Sequence, residues 1–394
     1  MLRLPCRARH ARLAAQPALH HRRALPDAGG PVGAGTMSQM ALAAGAVFDG
    51  TQLISDGVLL VAADGHLTAL PRAALPATVP VVEHGPDALV TPGFIDAQVN
   101  GGGGVLLNDD PSPAAMAAVA AAHRASGTGA LLATVITDTP AVMVAALQAA
   151  AARPPGVVGV HLEGPYLNRQ RAGAHRADLI REAASDPLEW LSWVPAAGRV
   201  VMTLAPECVP PGFIQRLVQA GVIVAAGHSA ADAATLSRAV AEGLSLVTHL
   251  FNAMPPMSAR EPGLAGAALG EPRLGCGLIA DGYHVAPEML RLALAAKGAE
   301  GLFLVSDAMP SVGSDIQHFT LAGRAVTRQG DRLVTQEGTL AGAHLTLAMA
   351  VRTMITAAKA APEVALQLAT TSPARWLRLP LPPPVVIPRA AVGV

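Results

Sequence analysis

Eight short apolar runs punctuate the middle of this chain, and their order constrains the fold more than any other feature. LVTPGFID, ALLATVIT, VVGVHLEG, VVMTLAPE, VIVAAGHS, LSLVTHLF, LGCGLIADG and LFLVSDAM are each leucine-rich or β-branched and bounded by Gly, Pro or a polar residue. Ala-rich segments of helical spacing separate most of them, such as Pro113 to Ala125 and Ala230 to Glu242. Strands alternating with helices form either a (β/α)8 barrel or a doubly wound open sheet. The position of the reactive side chains favours the barrel: Gln98, Glu163, His228, His249 and Asp307 stand at or just past the C-terminal ends of separate runs. A barrel assembles its active site at that end. The expected fold class is therefore α/β, a (β/α)8 TIM-type barrel.

Taken singly, these residues allow more than one reading. Glu163 in GVHLEGPYLN ends a strand that reads as buried, where an acid needs an ion pair or a bound cation. A single histidine such as His228 in AAGHS or His249 in VTHLFNAMPP is more often a hydrogen-bonded core residue than a ligand. Two of them at consecutive strand ends, with a carboxylate at an earlier one, make a His2Glu set. That set is a known catalytic zinc arrangement with an open position. Asp307, on the eighth run, is placed to bond a metal-held water without being a ligand. Gln98 and Asn100, one residue apart, point to the same face of an extended segment. The glycines at 101 to 104 lack the spacing of a dinucleotide loop.

Composition excludes some partners. The chain of 394 residues has zero net charge, which implies no basic surface for nucleic acid. The longest apolar tract, Ala114 to Thr137, is interrupted by His123, Arg124, Ser126 and Gly127, so no membrane span is expected. Cys6, Cys208 and Cys276 lie far apart without a CxxC, which fits a reducing, cytoplasmic setting.

PGFIDAQVNGGGGV, GVHLEGPYLNRQRAGAH, AAGHS, THLFNAMPPMSAREPG, IADGYHV, LVSDAMP and GTLAGAHLTL follow one another in an order that resembles the N-acetylglucosamine-6-phosphate deacetylase family of the amidohydrolase superfamily. The likeness runs from about Ala43 to Trp376. It implies hydrolysis of the acetamide of N-acetylglucosamine 6-phosphate in amino-sugar catabolism, with one divalent metal per chain on Glu163, His228 and His249. Zinc is the first expectation, and iron or another divalent ion the alternative. Many amidohydrolases carry His-x-His at the first strand and hold two metals. Gln98 and Asn100 match the members with Gln-x-Asn there, so they mark a vacant second-metal position. The resemblance gives Asp307 the role of proton carrier and His175 that of carbonyl polariser. Ala174, Asn252, Ala253, Arg260 and His284 would meet the substrate, and Leu340, Ala341 and Gly342 would close over the acetyl group. Arg260 would come from the neighbouring subunit of a homodimer. Another amidohydrolase acting on an N-acyl or cyclic amide would show His-x-His and a bridging lysine, yet only Lys297 and Lys359 are present. A non-catalytic barrel is the third reading.

The chain ends depart from this pattern. Residues 1–36 are arginine-rich and read as a disordered extension or a mis-assigned start ahead of Met37 or Met40, with a mitochondrial-type presequence as the alternative. Residues 37–90 would supply the N-terminal strands of a small β-sandwich, 91–358 the barrel, and 359–394 a truncated or atypical return. The likeness implies a glycine-rich hairpin and a return strand after SPARWL, where this sequence offers prolines and one β-like run, Val385 to Ile387. An exposed sandwich edge is therefore expected. Ala343 and His344 replace the small hydroxyl residue expected after LAG.

Overall fold

The computed structural model describes residues 40–394, and the expectation for residues 1–36 lies outside them. Each of the eight runs contributes one barrel strand: Phe94–Val99, Thr128–Ile136, Val157–Glu163, Arg199–Leu204, Ile223–Ala226, Leu246–Val247, Gly275–Leu278 and Leu302–Leu304. They pair in chain order in one parallel sheet, a (β/α)8 barrel with its helices outside. The first and eighth strands meet at their C-terminal ends. Asn100 N–H donates to Ala308 O at 2.9 Å, and Asp307 N–H to Gln98 O at 3.0 Å. Asp96, fully buried, accepts the Ser306 N–H at 3.1 Å across the same seam. Burial pushes its carboxyl up to about 7.

The first run is not one strand. Ala88–Pro92 belongs to another sheet, and the barrel strand starts only after Gly93. A Cβ at Gly93 would lie 2.8 Å from Gly129 Cα, so the chain crosses between sheets where two backbones touch. The helices start at side-chain caps: Ser112 caps Pro113–Arg124 and Asp232 caps Ala233–Ala241. No helix among the described residues is long and apolar enough to cross a membrane.

Beside the barrel lies a hydrogen-bonded sheet of six strands. Met40–Phe48 is its hub. Its first half pairs with Val81–Glu83 and its second half with Ala88–Pro92. The tail corrects the expected exposed edge: Pro384–Pro388 runs antiparallel to Ala88–Pro92, register Val386 to Val90, and buries Ile387. The prolines flank the pairing run without interrupting it, since Val385, Val386 and Ile387 provide the strand's interior. The barrel also continues past residue 358. Helices Pro362–Ala369 and Thr371–Leu377 pack Leu366, Leu368 and Leu377 into the barrel's own core. A feature the sequence reading missed is the three-stranded antiparallel sheet His318–Leu321, Arg324–Gln329 and Arg332–Thr335. It packs Leu321, Val326 and Leu333 with Met309, next to the C-terminal ends of the barrel strands.

Candidate active site

Glu163, His228 and His249 converge on one point at the mouth of the barrel. Glu163 Oε1 lies 2.9 Å from His249 Nε2 and 3.1 Å from His228 Nε2, and the two Nε2 atoms are 3.1 Å apart. All three residues are buried. Nitrogen and oxygen donors about 2.0–2.1 Å from a tetrahedral ion stand roughly 3.3 Å from one another, so this spacing suits a shared cation. His228 Nδ1 meets the Arg171 carbonyl at 2.8 Å. A carbonyl only accepts, so Nδ1 carries the proton and the Nε2 lone pair faces inward. Burial alone would raise the Glu163 carboxyl, yet the imidazoles of His228 and His249 packed against it hold it well below the usual range.

The backbone is bent to produce this convergence. His228, His249 and Asp307 have φ of 49°, 28° and 49°, at positive values uncommon for residues other than glycine. Such conformations cost about 1–3 kcal/mol each and persist where the surroundings enforce them. Each occurs at the end of its strand, where the side chain turns into the mouth.

His175 lies on the loop after the third strand, with Nε2 at 3.7 Å from Glu163 Oε2. Glu163, His175 and His228 are also close enough to share an ion. The hydrogen bonds argue against His175 as a ligand. The Thr137 backbone N–H donates to His175 Nδ1 at 3.2 Å, so Nδ1 bears a lone pair and the proton of the neutral ring sits on Nε2. Burial, then the neighbouring His228, pushes the ring down to about 3 and keeps it neutral. His175 thus points an N–H donor into the site, whereas His249 offers a ring nitrogen 2.9 Å from the carboxylate oxygen.

Gln98 and Asn100 both reach Asp307. Asn100 Nδ2 donates to Asp307 Oδ1 at 2.6 Å and Gln98 Nε2 to the same atom at 3.2 Å, and all three side chains are buried. The two amides project from the first strand to the same face, as their spacing requires, and they grip one oxygen and leave Oδ2 to the site. Burial, then the charge of Glu163, pushes Asp307 up to about 6.

A cavity of about 390 Å³ opens above these groups. Ala174, Asn252, Ala253, His284, Leu340 and Gly342 line it. Ala341 does not: it is buried beside Met309 and Leu333 under the three-stranded sheet. Arg260 is exposed and does not line its own chain's cavity. His344 is outside the lining as well, with Nδ1 2.9 Å from Ser311 Oγ.

Three groups escaped the sequence reading. Asp281 binds His284 Nδ1 at 2.6 Å and accepts the N–H groups of Tyr283 and His284, each at 2.8 Å, which fixes the ring. The pattern Asp-x-x-His was the available signal. His161, two residues before Glu163 on the same face, spans Ala97 O at 2.9 Å and Thr203 Oγ1 at 2.7 Å. Arg171 lines the cavity through a loop that reads as solvated in sequence.

The amidohydrolase family model matches residues 89–381. An N-acetylgalactosamine-6-phosphate deacetylase of Shewanella sp. (strain ANA-3) is 41% identical over 293 residues, 73% of this chain and 74% of that protein. The human N-acetylglucosamine-6-phosphate deacetylase is 34% identical over 307 residues, 74% of this chain and 75% of its own. Among solved structures, an N-acetyl-D-glucosamine-6-phosphate deacetylase mutant from Mycobacterium smegmatis, in complex with N-acetyl-D-glucosamine-6-phosphate, superposes with a TM-score of 0.81. It is 32% identical, over 90% of this chain and 96% of that one.

Proposed function

The chain belongs to the amidohydrolase family, and from that premise we propose that it hydrolyses the acetamide of N-acetylglucosamine 6-phosphate to glucosamine 6-phosphate and acetate. The observation that carries this reading is the joint presence, in one cavity, of a His2Glu donor set, a neutral N–H donor and a carboxylate with one free oxygen. Glu163, His228 and His249 would hold one divalent ion, zinc before iron, since imidazole and carboxylate suit such ions and the carboxamides of Gln98 and Asn100 do not. When bound, the ion supplies Lewis-acid chemistry, bringing a water toward neutral pKa and polarising the amide carbonyl.

The chain's own side chains do the rest. Asp307 Oδ2 takes the proton of the attacking water while Gln98 and Asn100 hold Oδ1, and it then returns that proton to the leaving amine. His175 donates its Nε2–H to the carbonyl oxygen as negative charge develops there. Asn252, Ala253 and His284, the last fixed by Asp281, meet the sugar phosphate. Arg260, exposed on the loop between Pro255 and Pro262, serves the cavity of a second copy in a homodimer. The free Cys208 and Cys276 accord with a cytoplasmic enzyme.

N-acetylgalactosamine 6-phosphate is the second reading, supported by the 41% identical Shewanella protein. The test is acetate release by purified protein from each 6-phosphate epimer and from unphosphorylated N-acetylglucosamine. The reading predicts turnover of a phosphorylated sugar with kcat/KM well above the unphosphorylated one. Release from neither phosphorylated epimer would overturn it.

A further inference from the structure

The loop after the third strand carries four arginines, and three have partners, Arg181 pairing with Asp186 at 2.9 Å. Arg169 donates to the carbonyls of Ala177 and Ile180, and Arg176 pairs with Asp178. Arg171 differs: among the described residues its guanidinium makes no hydrogen bond and no ion pair, and its Nε is buried without a partner. It is also the one lysine or arginine lining the cavity. Its main chain is held on both sides. Asn168 Oδ1 accepts the Gln170 N–H at 2.9 Å, which sets the tight turn Arg169–Arg171. The Arg171 N–H donates to Asn168 O at 2.8 Å, and its own carbonyl receives His228 Nδ1. The root of the side chain is therefore anchored to the donor cluster.

A half-buried guanidinium with unused donors is costly until an acceptor arrives, and its planar fork matches the oxygens of a phosphate. The other charged groups of the cavity, Glu163 and Asp307, are already engaged by His228, His249, Gln98 and Asn100. We propose that the Arg171 guanidinium is a phosphate contact supplied from within the same chain, adding to whatever a second copy contributes. The inference rests on the sugar-phosphate reading, because a phosphomonoester is the anionic part of that substrate and the acetamide is neutral.

Calorimetric binding tests it without turnover, using glucosamine 6-phosphate and glucosamine with the metal-loaded wild type, Arg171→Ala and Arg171→Lys. Arg171→Ala is expected to weaken glucosamine 6-phosphate binding by about tenfold or more, the loss expected for a charge-assisted contact, and glucosamine binding by less than about twofold. Arg171→Lys should recover part of the loss, because a point charge remains without the fork. Metal content should be unchanged, since the His228 anchor is a main-chain carbonyl. Equal weakening of both ligands, or of neither, would overturn the proposal. Tight, Arg171-dependent binding of glucosamine 6-phosphate with no acetate released from either acetylated epimer would sink the deacetylase reading and leave this inference standing.

Discussion

Replacing Asn100 by leucine probes the link between the two carboxamides and the proton carrier. Asn100 is fully buried, its Nδ2 is 2.6 Å from Asp307 Oδ1, and its own Oδ1 has no partner among the described residues. Leucine is close in size, removes the donor and strands no other group, so the cost falls on Asp307. A hydrogen bond to a charged group contributes about 1.5–3 kcal/mol. The 3.2 Å bond from Gln98 remains and still restrains the same oxygen. At about 1.4 kcal/mol per factor of ten, kcat should fall roughly 10- to 100-fold. Asn100→Asp should fall further, because it sets a second carboxylate against the first. The assay is steady-state acetate release with metal content measured on the same samples, repeated in an Asp307→Asn background. If Asn100 acts through Asp307, its replacement adds little there. An equal fold-loss in both backgrounds, or loss of the metal, would refute the reasoning.

Two further expectations are simpler. Asp307→Asn keeps the metal donors and should retain metal and substrate binding while losing most turnover, as metal analysis and a KM-against-kcat comparison would show; a near-normal rate removes Asp307 from the mechanism. Deleting residues 384–394 strips the partner strand from Ala88–Pro92 and uncovers Ile387 and Val392 contacts, two buried side chains contributing about 1.5–3 kcal/mol each. The melting temperature should drop by several degrees, and an unchanged value would mean the tail strand adds nothing to the sheet.

The sequence exposed what depends on local pattern. Strand and helix periodicity marked all eight barrel strands, and the strand-end positions of Glu163, His228, His249 and Asp307 marked the mouth. It concealed what depends on distant pairing. That Gln98 and Asn100 both hold Asp307 was hidden because Asp307 is more than 200 residues away. The run LVTPGFID read as one strand because periodicity cannot show that Pro92-Gly93 passes between two sheets. Val385 to Ile387 looked too short to matter, and only its pairing with Ala88–Pro92 gives it a role. Arg171 was invisible for another reason: an arginine in a Gly-rich loop is ordinarily solvated, and nothing local announces that its Nε is buried.

The measurement nearest the central claim is a metal titration of the chelator-stripped protein, following acetate release from N-acetylglucosamine 6-phosphate as zinc is added. A single site on Glu163, His228 and His249 predicts negligible activity without metal and a linear rise that ends at about one equivalent per chain. Full activity in the stripped protein, or a rise continuing to two equivalents, would contradict it.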